Sequence, residues 1–78
     1  MPDKVFIDTN VLVYAHDSSL PDKRRISQEL ILGHMREGAA VISPQVLGEF
    51  FITATKKSAK PLSESQAKKE ILLLSSLA

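Results

Sequence analysis

The sequence has no cysteine, which excludes a disulfide framework and thiolate metal sites and is compatible with a reducing cytosol. Any bound metal is left with oxygen or imidazole ligands. Net charge is also nearly absent: ten Lys and Arg against nine Asp and Glu give +1. No overall field recruits nucleic acid, so RNA or DNA binding must rest on local clusters. No apolar run approaches the roughly 20 residues needed to span a bilayer, and the opening MPDKVFID has no long apolar stretch of the signal-peptide kind. The expectation is a cytoplasmic chain with no membrane partner. Repeats, low-complexity segments and an interdomain linker are missing too.

What is present reads as globular. Hydrophobic residues make up 44% of the 78 positions and charged residues 24%, far from the composition of disordered chains. A chain this short forms at most one small domain and buries only about 60% of its unfolded surface, so its core is thin. Val5, Phe6 and Ile7 follow one another without alternation, as does the run AAVIS at 39 to 43; both read as short strands buried on two faces. Between them lie a short apolar helix from Val11 to Ala15 and a longer one from about Asp22 to Glu37, with Asp22 as cap and Gly38 as a left-handed stop. Ser43 and Pro44 open a third helix rich in large apolar groups, Val46, Leu47, Phe50, Phe51, Ile52 and Ala54, which predict cover on more than one side. Ser63 and Gln66 form a capping box for a fourth, with Ala67, Ile71, Leu74 and Leu77 or Ala78 on its apolar face and Leu72 and Leu73 widening it.

Two buried strands joined by a helical crossover imply a parallel α/β layer. A pair of strands is marginal by itself and leaves a backbone edge free. The expectation is therefore the N-terminal part of a larger α/β domain, or a short version completed by association, with exposed Phe50, Phe51 and Leu72 to Leu74 driving that association.

Chemistry in open α/β sheets gathers beyond the carboxyl ends of the strands. Asp8 stands at such an end, and Glu49 follows the second strand in the first turns of its helix, near the same edge. The plainer readings are that Asp8 or Asn10 caps a helix and that Glu49 complements a helix dipole. Gly48, costly inside a helix, reads as a point where something approaches the backbone. Two carboxylates without His or Cys suit a hard cation such as Mg2+ or Mn2+, and hence phosphodiester or phosphoryl transfer.

The stretches VFIDTNVLVYAHD and VISPQVLGEFF resemble the N-terminal half of a PIN domain, particularly those of VapC-type ribonuclease toxins. The resemblance covers nearly the whole chain. It implies a PIN-like, Rossmann-like parallel sheet flanked by helices, of which residues 1–78 form a single partial domain with two strands and about four helices. It further implies Mg2+- or Mn2+-dependent endoribonuclease activity, an RNA substrate, a homodimer and a cognate antitoxin. Asp8 and Glu49 become catalytic metal ligands, and Thr9 and Asn10 order the site. Further acids are implied at later positions, which Asp17, Asp22 and Glu64 do not match. The alternative is a truncated, inactive remnant serving only for dimerisation or antitoxin binding.

Haloacid dehalogenase-type phosphatases also end their first strand in an aspartate. That chemistry needs a second carboxylate two positions on, where Asn10 cannot deliver a proton, and Val11 replaces the usual glycine. His34 reads as packing on a helix face and His16 as close to the sheet edge. Lys56, Lys57 and Lys60 read as the solvated end of the third helix, where cations complement the dipole. Lys23, Arg24 and Arg25 oppose a dipole instead, which makes them candidates for RNA phosphate contact.

Overall fold

The computed structural model describes residues 3–77. The elements run β1 (Val5–Phe6), α1 (Thr9–Ala15), α2 (Pro21–Arg36), β2 (Ala40–Val41), α3 (Pro44–Ile52), a π-helical turn (Thr53–Lys57) and α4 (Glu64–Leu77). The two strands are parallel, with Val5 opposite Ala40 and Phe6 opposite Val41. The N–H groups of Val5 and Ile7 donate to the carbonyls of Ala39 and Val41, each at 2.8 Å. The expected α/β layer with two strands and four helices is the observed one.

Local chemistry sets the element ends. Pro21 takes the first position of α2, where its fixed φ and missing N–H suit the helix, so the cap falls on Leu20 and Asp22 lies in the first turn. Asp22 is thus not the cap. At the other end Gly38 has φ +69°. Its N–H donates to the Met35 carbonyl at 3.0 Å, and the Ala39 N–H donates to that of His34 at 2.9 Å. This is the Schellman pattern, whose left-handed residue favours glycine. Ser43 Oγ accepts from the Val46 N–H at 3.1 Å. The Ser63 and Gln66 side chains each accept from the other's backbone N–H, at 3.1 and 3.0 Å.

Between α1 and α2 the chain turns at Asp17, whose carboxylate accepts from the hydroxyl and the backbone N–H of Ser19. Those two bonds, the hydroxyl foremost, hold the Asp17 carboxyl below its ordinary pKa. Because the folded value is depressed, the associated stability is present above the unfolded carboxylate pKa and lost as pH falls through the folded one. Ser19→Ala should move the Asp17 midpoint upward in a carboxyl NMR titration; an unmoved midpoint would show that the hydroxyl contributes nothing.

The core gathers Ile7, Leu12, Ala15, Ile31, Phe50, Ala54 and Leu74, with Phe50 and Leu12 fully enclosed. Residues alternate across a strand. Accordingly Val5 and Ile7 of the first strand segment and Ala40 and Ile42 of the second face this core. Phe6 points the other way and is 74% exposed. The reading of β1 as buried on both faces is therefore corrected: helices cover one face, and among the described residues none covers the other. Phe50 and Leu74 are buried, not exposed, and Phe51 is half-buried. Leu72 and Leu73 are 72% and 53% exposed, because the stripe docking α4 passes through Ala67, Ile71 and Leu74 at helical spacing. Ile52 is likewise half exposed. The expected place of the Leu77 or Ala78 side chain on that stripe lies outside what is described.

Candidate functional site

Asp8 occupies the N-cap position of α1 with extended backbone angles, φ −79° and ψ 154°. Its carbonyl accepts the first helical bond, from the Leu12 N–H at 3.3 Å. Its side chain makes no capping hydrogen bond. The helix start therefore uses only the backbone of Asp8, and the exposed carboxylate is left for other work.

Glu49 reaches the same place from α3. Its Oε2 accepts from Thr9 Oγ1 at 2.9 Å, a bond joining residues 40 apart, and its Oε1 accepts from Gln45 Nε2 at 3.3 Å. Both bonds restrict the side chain while leaving lone pairs on each oxygen, since a carboxylate accepts at about four positions. Asp8, Thr9, Asn10 and Glu49 line one open depression of about 460 Å³, together with Ile52, Thr53 and Lys57. The four residues named for the site from sequence thus meet in one place.

The donor set is carboxylate and hydroxyl oxygen in a solvent-open setting. It fits a hard dication that keeps several waters and takes one or two carboxylates from protein. Among the described residues no three of His, Cys, Asp or Glu converge to hold a metal; the carboxylates that line the depression are those of Asp8 and Glu49.

Other candidates lie elsewhere. Lys23 Nζ sits over the Tyr14 ring, 4.8 Å from its centroid, and Arg25 pairs with Glu29 at 3.4 Å one helical turn on. Neither they nor Arg24 line the depression. His16 is also committed away from it. A carbonyl can only accept, so Nδ1 donates to the Leu12 carbonyl at 2.8 Å. Nε2 lies 3.1 Å from Glu70 Oε2, and the ring packs 4.9 Å from that of Phe50. His16 ties α1 to α4. His34 is half-buried, as a packing role requires. At Gly48 an added Cβ would meet nothing within 4 Å, so the expected close approach to the backbone is absent among the described residues.

Gln45 and Lys57 escape a reading of the sequence alone. Gln45 precedes Glu49 by one turn, a spacing that brings side chains together, and could have been found from it. Lys57 could not, because its position depends on the π turn.

No curated protein and no solved structure matches the chain. A family model described as PIN domain does match, over residues 5–78. The parallel layer, the acids at the strand's carboxyl end and this match across nearly every residue place the chain in the PIN domain family, whose members are generally nucleases.

Proposed function

We propose that this chain carries the active centre of a Mg2+- or Mn2+-dependent endoribonuclease, the VapC-type toxin of a toxin and antitoxin pair, forming the N-terminal portion of its domain. The observation that supports this most is the pairing of an Asp8 carboxylate unspent on capping with a Glu49 carboxylate oriented by Thr9. Asp8 and Glu49 would hold the dication. When bound, it supplies Lewis acidity toward a phosphoryl oxygen and toward water. Thr9 fixes the Glu49 carboxylate through its hydroxyl, as partners of metal ligands generally do. Gln45 restrains its other oxygen, and Asn10 offers an amide to order solvent or a sugar hydroxyl at the rim. Lys23, Arg24 and Arg25 would contact RNA phosphates away from the reacting bond.

A second reading is a catalytically inactive module that dimerises or binds an antitoxin. It is favoured by the two-acid centre and by an apolar groove of about 210 Å³ lined by Ala15, Ile31, Leu32, Met35, Leu73 and Leu74, with His16 and Glu70 among its polar residues. In the first reading the homodimer and antitoxin use the same apolar surface.

Labelled single-stranded RNA incubated with the chain should be cut internally in Mg2+ or Mn2+ and remain intact in EDTA, with slow turnover because two acids hold the ion weakly. Metal-independent cleavage would overturn the first reading. No cleavage in either metal would favour the second.

A further inference from the structure

The basic residues closing α3 are not equivalent, and backbone geometry selects among them. In an uninterrupted α-helix the residue sharing the face of Glu49 two turns on is seven positions away, which is Lys56. The helix is interrupted, however, by the π turn Thr53–Lys57. Thr55 Oγ1 donates to the Phe51 carbonyl at 2.7 Å. Such back-bonding to the i−4 carbonyl competes with the helical ladder and bends it. A π turn inserts about one residue into the repeat, so the face of Glu49 is handed from Lys56 to Lys57. Lys57 then lines the depression with Asp8, Thr9, Asn10 and Glu49, whereas Lys56 does not. Among the described residues Lys57 takes part in no ion pair within 4.0 Å. Lys57 thus borders a site with two carboxylates, and its ammonium is paired with neither.

We infer that Lys57 is a substrate-binding residue of this site, holding a phosphate oxygen of single-stranded RNA beside the group that Asp8 and Glu49 handle. The inference rests on the ribonuclease reading of the depression. An ammonium is a compact point charge with three donors on a flexible stem, suited to phosphate. Placed among carboxylates, it counters the repulsion that an incoming phosphodiester would otherwise meet. The reading of Lys57 as merely a solvated helix end is replaced, while Lys56 keeps that role.

The test is binding of a fluorescein-labelled single-stranded RNA, measured by anisotropy without divalent metal across a series of salt concentrations. Lys57→Gln should weaken binding about tenfold and lower the salt slope by about 0.7, the value for one phosphate contact on a single strand. Lys57→Arg should retain most of the affinity, and Lys56→Gln should stay within about twofold of the unmodified protein because its charge lies off the site. Equal effects of Lys56→Gln and Lys57→Gln, or no effect of either, would overturn the assignment, as would absence of RNA binding by the unmodified protein. Failure of the underlying reading would appear elsewhere: Asp8→Asn would cut RNA as fast as the parent while the Lys57 binding defect persisted.

Discussion

Asp8→Asn and Glu49→Gln should each lower metal-dependent RNA cleavage by more than about a hundredfold, since each removes one of two charges available to the ion. The two variants should differ in what else they disturb. The Asp8 carboxylate makes no capping bond, and asparagine caps helices as well as aspartate does, so Asp8→Asn should unfold at the parent's denaturant midpoint in EDTA. Glu49 is bonded at both oxygens. An amide there sets a donor against either Thr9 or Gln45, so Glu49→Gln should lose a little stability as well. Mg2+ raises the melting temperature of a protein that binds it in the folded state; the parent should show that rise and both variants should lose it. Full cleavage by both would refute the assignment of these acids.

Phe50→Ala should remove most of the chain's folding free energy and leave it marginally stable at ambient temperature. Phe50 has no exposed surface, packs against the His16 ring and stands in the core with Leu12, Ala54 and Leu74. Truncating such a residue costs about 3–5 kcal/mol through lost burial and the cavity left behind. Whole domains are stable by about 5–15 kcal/mol, and small ones with thin cores lie toward the lower end. Two positions on, Ile52 is 49% exposed, and Ile52→Ala should shift stability by well under half as much. Urea unfolding followed by circular dichroism would check both. A Phe50→Ala chain as resistant as Ile52→Ala would mean that the core is centred elsewhere.

Features governed by neighbours in sequence were legible in advance. Ser43 before Pro44, the Ser63 and Gln66 pair and Gly38 are read from local hydrogen-bonding needs, and each does what those needs require. The meeting of Asp8 with Glu49 also followed, because strand direction alone fixes the end of the sheet at which both emerge. Features set by what covers a surface were not legible. Phe6 has the character of a buried strand residue and Leu72 that of a helix stripe, yet both are exposed, since hydrophobicity does not specify which neighbour is present. The choice of Lys57 over Lys56 was hidden for another reason. It goes with a π turn in which the Thr55 hydroxyl takes the Phe51 carbonyl, a change of backbone repeat that residue spacing does not reveal.

The bond from Thr9 to Glu49 spans 40 residues, and that separation has a meaning in time. At roughly 5–20 residues per second of synthesis, about 2 to 8 seconds pass between the appearance of Thr9 and that of Glu49. During that interval the nascent chain holds Asp8 without Glu49, on a helix that α2 can already cover through Ile31 and the bond from Gln28 to the Ala15 carbonyl. Its partner acid arrives only with α3, and Phe50, the core residue that seats α3, is added immediately after Glu49. Closure of the core comes later still, because Ala54 and Leu74 follow Glu49 by 5 and 25 residues, so both acids are in the chain before the core that holds them in place is complete.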